Sequence, residues 1–196
     1  MKKTLAILLT IATMCVTGGW TNPKSNADED RCSLIDYLET HEVESYEEFQ
    51  EVIRSVSPES VDDVDPDMVT DFSINIDYDN RIVSVTTIEQ SDDTATENGK
   101  TASCSYYNDL YITIFTISVT GYFRYSPGYC TATSASGSFT KPFYSTWSST
   151  PTISTGNISS SVAYARISGT ATSGSSSINY SLTLTCNDSG QFGTTN

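Results

Sequence analysis

The stretch that decides the fold is Ser177-Ile178-Asn179-Tyr180-Ser181-Leu182-Thr183-Leu184-Thr185-Cys186. Ile178, Tyr180, Leu182, Leu184 and Cys186 fall on one side; Asn179, Ser181, Thr183 and Thr185 fall on the other. A strict period of two is a β-strand with one dry face and one wet face. The same reading extends backwards to strands at Val162 to Ala171, Ser136 to Phe143 and Tyr129 to Ser134, with Ser126-Pro127-Gly128 as a turn. Before them, Asp109 to Tyr125 is a long β-rich run. Its apolar phase switches between Ile114 and Phe115, which predicts a bulge or two strands there. Several such strands joined by short polar turns predict a mainly β fold, an antiparallel β-sandwich.

Upstream the chain changes character. Residues 28–101 carry 22 of the 24 acids against Arg31, Arg54, Arg81 and Lys100, a net charge of −18. Residues 102–196 carry Asp109 and Asp188 against Arg124, Lys141 and Arg166, a net of +1, and 37 of those 95 residues are Ser or Thr. The acidic part opens with helical patterns. A short helix is expected around Leu34 to Leu38. Ser45-Tyr46-Glu47-Glu48 is a capping box, in which Ser45 accepts from the Glu48 amide and Glu48 reaches back to Ser45. Tyr46, Phe49, Val52, Ile53 and Val56 follow at helical spacing until Pro58 stops the pattern. Phe72, Ile74, Ile76 and Tyr78 then alternate with polar residues, Asp79-Asn80 turns, and Arg81 to Ile88 returns, a hairpin. Residues 91–101 lack apolar periodicity and read as a linker. The expected organisation is a small acidic α/β appendage at 28–90, a linker at 91–101, and a Ser/Thr-rich sandwich at 102–196.

Met1-Lys2-Lys3 followed by twelve apolar-rich residues, Leu5 to Val16, has the form of a secretory signal peptide. The stretch is shorter than the roughly 20 residues a membrane-spanning helix needs. Ser25-Asn26-Ala27 places small residues for cleavage after Ala27, with Gly18 or Gly19 as the alternative cut. The mature protein is thus expected outside the cell, without a stable membrane span. Export makes disulfides the default for the four cysteines that remain, Cys32, Cys104, Cys130 and Cys186, with three connectivities open. Cys130 and Cys186 both fall on apolar faces, so the expected bridges are Cys130–Cys186 as a buried staple and Cys32–Cys104 as a tie. Gaps of 72, 26 and 56 residues between them do not suit zinc. A formal charge of −14 on 196 residues disfavours nucleic acid and anionic membranes as partners.

The segment Tyr129-Cys130-Thr131-Ala132-Thr133-Ser134-Ala135-Ser136, with Trp147, Ser154-Thr155-Gly156-Asn157 and Leu182-Thr183-Leu184-Thr185-Cys186-Asn187-Asp188-Ser189-Gly190, resembles a group of small exported Ser/Thr-rich β-sandwich domains of Gram-positive bacteria. That family is uncharacterised. The resemblance spans roughly residues 110–193, implies a bacterial origin, agrees with the Cys130–Cys186 pairing and brings no activity. The immunoglobulin pattern fits less well, because Leu184 stands where the tyrosine corner needs Tyr.

Candidate chemistry is sparse. Asp62, Asp63, Asp65 and Asp67 could hold calcium weakly, yet an EF-hand loop begun at Asp63 would need glycine where Met68 stands and glutamate where Ile74 stands. His41 sits among acids with no Gly-x-Ser-x-Gly elbow to serve. The sandwich half holds only Asp109 and Asp188, against the carboxylate pair a glycosidase requires. No catalytic residue, metal ligand or cofactor is therefore assigned. Trp147 and Phe143 are the expected cover of one end of the core. Trp147 and Tyr144, extended by Tyr122, Tyr125 and Tyr129, are the candidate ligand contacts, because aromatic rings on a sandwich stack on sugar faces. The functional expectation is a non-enzymatic exported protein that binds a protein or a cell-wall or host glycan. A carbohydrate-binding module is the first alternative and a secreted hydrolase the second.

Overall fold

Alternating strands need a second apolar layer, and the chain supplies it from its own length. A computed structural model describes residues 32–60, 64–90 and 98–195. The leader segment with its cut at Ala27 lies outside the described residues, as do Asp62, Asp63 and positions 91–97 of the expected linker. Among the described residues nine strands form two antiparallel sheets. The first holds β1 (Val69–Asp77), β2 (Ile82–Gln90), β3 (Asn98–Asn108), β4 (Thr113–Ser126) and β5 (Tyr129–Thr140) in chain order. The second holds β6 (Thr152–Ser159), β7 (Val162–Ser173), β8 (Ser176–Asn187) and β9 (Phe192–Thr195).

Between the sheets lies the main core. Ala102, Cys104, Phe115, Ile117, Val119 and Phe123 from the first sheet meet Ala163, Ala165, Ile167, Leu182, Leu184 and Cys186 from the second, all fully buried. The sheets approach closely at Gly121, where a Cβ atom would stand 2.8 Å from that of Ala165.

Two helices make a third layer over part of the first sheet's outer face. Ser33 caps α1 (Leu34–Thr40) by accepting from the Asp36 amide. Ser45 caps α2 (Tyr46–Val56) by accepting from the Glu48 amide at 3.2 Å. Glu48 does reach back, but to the amide of Glu44 at 3.0 Å, one residue earlier than expected. Tyr46, Phe49, Val52 and Ile53 of α2 pack with Leu34 and Ile35 of α1 on Val83, Val85 and Tyr107 of the sheet. Each buried side chain of this size contributes about 1.5–3 kcal/mol.

The hairpin and the capped helix form where the sequence places them. The predicted irregularity near Ile114 is a bulge: Tyr106 pairs with Phe115 and Tyr107 with Thr113, so Ile114 is the inserted residue. Residues 109–112, expected as strand, are instead a connection in which Tyr111 has a positive φ of 65°. The two short strands expected at 129–143 are the single strand β5. Its register shifts where Tyr122 faces Ser134 and Phe123 faces Ala132. Positions 98–101 belong to β3, and β2 pairs with β3 from Ile82↔Asn108 to Gln90↔Lys100. The acidic hairpin thus continues the sheet of the Ser/Thr-rich half.

The expected disulfide staples are absent. Cys32, Cys104, Cys130 and Cys186 are all thiols, and the nearest cysteine pair stands 3.8 Å apart, where a bond needs about 2.05 Å. Cys130 and Cys186 do share the buried layer, but each thiol points at a backbone carbonyl. Cys130 donates to the Cys186 oxygen at 3.2 Å and Cys186 to the Asn187 oxygen at 3.4 Å. For Cys32–Cys104 the sheet itself intervenes: Cys104 is buried between the sheets, while Cys32 is exposed beside the helix layer. Burial, together with the neighbouring Cys130, pushes the Cys186 thiol up to about 12. Cys32 is exposed while Cys104, Cys130 and Cys186 are buried, so alkylation at pH 8 is expected to modify Cys32 and spare the other three. After denaturation without reductant all four should label. Peptide mass spectrometry reads this directly, and a pair that labels only after reduction would contradict the assignment.

Candidate functional site: a hydroxyl-floored groove

The helices cover only part of the first sheet's outer face. Beyond them that face is built from the outward residues of β3, β4 and β5, which the alternation makes Ser and Thr. They pair across the strands into rows. Thr101 and Thr120 are 2.8 Å apart at their hydroxyls, Ser105 and Thr116 3.0 Å, and Ser118 and Ser138 2.9 Å. Each hydroxyl both donates and accepts, so the rows keep acceptor and donor capacity for a ligand.

One end of this face forms an open groove of about 480 Å³. Its floor is Ser103, Thr116, Ser118, Ser138 and Thr140. One wall is the turn that follows α2, with Glu59 and Ser60, and then Val64. Pro58 ends the helix there and starts a single 3₁₀ turn, Pro58–Ser60. Ser60 pins that wall to β4: its carbonyl accepts from the Thr113 hydroxyl at 2.7 Å, and its own hydroxyl accepts from the Thr113 amide at 3.3 Å. Thr113 can face the wall because the bulge at Ile114 reverses the alternation at the start of β4. Gln50 holds Val64 through its carbonyl at 3.0 Å.

The other wall is the start of the β5–β6 connection, Lys141 and Pro142. Lys141 donates to the Ser145 carbonyl at 2.7 Å. Phe143 follows and is 98% exposed, with its ring edge-on to Tyr144 at 5.3 Å. The Tyr144 hydroxyl lies 3.3 Å from that of Ser60, joining the two walls. Glu89 closes the floor beside Ser103, accepting from its hydroxyl at 3.3 Å.

The aromatic residues singled out from the sequence do not form one platform. Trp147 packs half-buried on the core, 5.7 Å from the Phe115 ring, and covers its end. Phe143, expected to share that task, points into solvent. Tyr144 stands at the groove rim. Tyr122, Tyr125 and Tyr129 lie towards the far end of the same sheet; Phe115 and Tyr125 are ten strand residues apart, about 33 Å at 3.3 Å per residue. There the Tyr122 ring lies over Gly99, and the Tyr125 ring over Gly190. His41 caps α1 and stacks on Tyr37 at 4.3 Å, away from the groove. Asp65 uses its carboxylate to accept from the Asp67 amide. Among the described residues no group of three His, Cys, Asp or Glu side chains could hold a metal ion, and no helix is long and apolar enough to cross a membrane.

The groove itself went unrecognised in the sequence, although its signal was present. The outward positions of β3–β5 are almost entirely hydroxyl-bearing. The chain matches no protein-family model, no curated protein and no solved structure; what stands is a mostly β, two-sheet domain rich in Ser and Thr.

Proposed function

We propose that this is an exported, non-enzymatic binding protein that takes a glycan in the hydroxyl-floored groove, acting at or beyond the cell envelope. The observation that carries the reading is the hydroxyl floor between its two walls; Phe143, exposed and next in the chain to the lining residue Pro142, supports it. Sugars present hydroxyls at their edges and apolar C–H faces. A floor of Ser and Thr meets the first, and a solvent-facing ring meets the second. The Phe143 ring is 98% exposed, so it is available to a ligand that extends past Pro142. Export is supported by the leader-like residues 1–27, and the resemblance to exported Gram-positive domains points the same way.

The test is calorimetric titration of the protein with soluble glycans and cell-wall fragments, compared with Phe143→Ala. Saturable binding is expected, weakened about tenfold by the substitution, in line with roughly 0.5–1.5 kcal/mol for a lost aromatic contact. Because Phe143 is exposed, its removal should change stability by less than about 0.5 kcal/mol. Absence of saturable binding to any glycan, or equal binding by the variant, would refute the reading.

A further inference from the structure

We propose that the protein forms a two-fold dimer by pairing β6 with β6 of a second copy, which joins the two second sheets into one. A strand at the end of a sheet leaves a row of backbone N–H and C=O groups unpaired, and β proteins guard such edges with charge, bulges or shortness. The sheet orders leave four end strands, β1, β5, β6 and β9. β1 carries Asp71 and Asp77 and shifts register between Val69 and Asp71. β9 is four residues long. β5 is closed at its start by the β6–β7 hairpin: the Cys130 amide donates to the Ser160 carbonyl at 2.9 Å, and the Asn157 side chain donates to the Cys130 carbonyl at 2.8 Å. β6 has none of these guards from Thr152 to Asn157. That stretch, Thr-Ile-Ser-Thr-Gly-Asn, holds no charge and no proline. It pairs in unbroken register with β7, from Thr152↔Ser168 to Asn157↔Ala163. Among the described residues no strand pairs with its other side. Ile153 faces inwards against Gly137, yet it is 40% exposed at this open border.

Charge selects a second copy as the occupant. Residues 28–101 carry the net charge of −18 and include α1, α2, β1 and β2, at the other end of the first sheet from β5. Two copies repel through those parts, and a basic partner would be drawn to them. Residues 126–165, which include β5 and β6, hold one charge, Lys141. Along this border a second chain of charge −14 can approach with its acids turned away. The edge is also its own complement: antiparallel to itself about a two-fold axis, each outward N–H meets an outward C=O. Centred on Thr155, the pairing sets Thr155 against its own copy, a favourable cross-strand pair. It sets Ile153 against Asn157 and Ser154 against Gly156. Gly156 already carries the Tyr164 ring, whose hydroxyl lies 2.8 Å from where a Cβ would stand, and the residue brought opposite it, Ser154, is small.

Sedimentation equilibrium tests the inference. The parent should show a reversible dimer that tightens several-fold from low to physiological salt, as repulsion between the acidic parts is screened. Thr155→Asp and Thr155→Lys should each weaken it at least about tenfold, because like charges then face each other across the axis. Mixed one to one, the two variants should form a dimer of one copy each, as tight as the parent's. Thr155 is exposed, so both variants should keep the parent's thermal midpoint. Amide exchange in β6 of the parent, which should slow as its concentration rises, reads the same pairing without a substitution. A parent that stays monomeric at millimolar concentration overturns the inference and leaves the edge to a foreign strand. A dimer that both single variants leave intact overturns it too, by placing the interface elsewhere. Variants that remain monomeric when mixed, or β6 amides indifferent to concentration, would contradict the two-fold pairing.

Discussion

Phe115→Ala is expected to destabilise the protein by about 3–5 kcal/mol, the range for deleting a buried phenyl ring. Phe115 is fully buried and central to the ring cluster. It stacks on Tyr106 at 4.4 Å and on Phe139 at 5.1 Å, and it touches Trp147 at 5.7 Å and Tyr180 at 6.2 Å. These rings come from β3, β4, β5, β8 and the β5–β6 connection, so a cavity at Phe115 loosens both sheets together. The site cannot collapse cheaply, because its neighbours are rigid rings on hydrogen-bonded strands. Urea unfolding followed by Trp147 fluorescence reads the effect, with a lower midpoint at unchanged slope. The native emission should also shift red as water reaches the indole. A loss under about 1 kcal/mol would contradict the ring cluster as the centre of the core.

Asp109→Ala is expected to cost about 2 kcal/mol and to release α1. The Asp109 carbonyl accepts from the Leu34 amide at 3.0 Å, and its carboxylate accepts from the Ile35 amide at 3.2 Å. These are first-turn helix amides with no partner inside the helix, and a side-chain acceptor at such a position is worth about 0.5–2 kcal/mol. The same carboxylate pairs with Arg81 from the β1–β2 turn. One residue therefore holds α1, the β1–β2 turn and the β3–β4 connection together. Burial alone would raise its pKa. Hydrogen bonds from Arg81, the Ile35 amide and Ser33, with the Arg81 charge, outweigh burial and hold it below the ordinary carboxylate value. The sign follows: the folded form holds its proton less tightly than the unfolded chain. The contribution is thus fully present above the unfolded value near pH 4 and is lost as pH falls through the lower folded value. Asp109→Asn should flatten that acid limb in unfolding curves taken from pH 5 to pH 2. An unchanged limb would show that another carboxylate governs it.

How far the fold was legible depended on whether a residue's neighbours were local. The α2 helix was legible because its cap, its apolar spacing and its Pro58 stop all sit within fourteen residues. The irregularity at Ile114 was legible because alternation reverses there, which left a bulge or two strands open; pairing with β3 makes it a bulge. β3 was not. Ala102 and Cys104 are small, Ser103 and Ser105 fill the positions between them, and Tyr106 and Tyr107 are both buried, one between the sheets and one under the helices. The inward residues are small, so their alternation with Ser103 and Ser105 is faint, and Tyr107, apolar on the outer face under the helices, breaks the polar row. Cys130 and Cys186 show a different limit. Sharing an apolar face was readable from spacing, but whether two thiols meet in bonding geometry depends on sheet packing that spacing does not encode. The candidate site failed for a third reason: outward Ser and Thr look like ordinary surface until two walls enclose them. Those walls come from Glu59, Ser60 and Val64 and from Lys141 and Pro142, more than 75 positions apart. Phe143 was grouped with Trp147 because both are apolar within five residues, yet only Trp147 turns inwards.

The central claim is that ligand contact concentrates on the groove at one end of the first sheet. Amide chemical-shift mapping during titration with a glycan that binds in the calorimetric panel tests it most directly. The account predicts progressive shifts at Ser103, Thr116, Ser118, Ser138, Thr140 and Phe143, with β6 to β9 silent. Shifts confined to the second sheet or to the β4–β5 hairpin around Tyr125 and Tyr129, or none at saturating ligand, would contradict it.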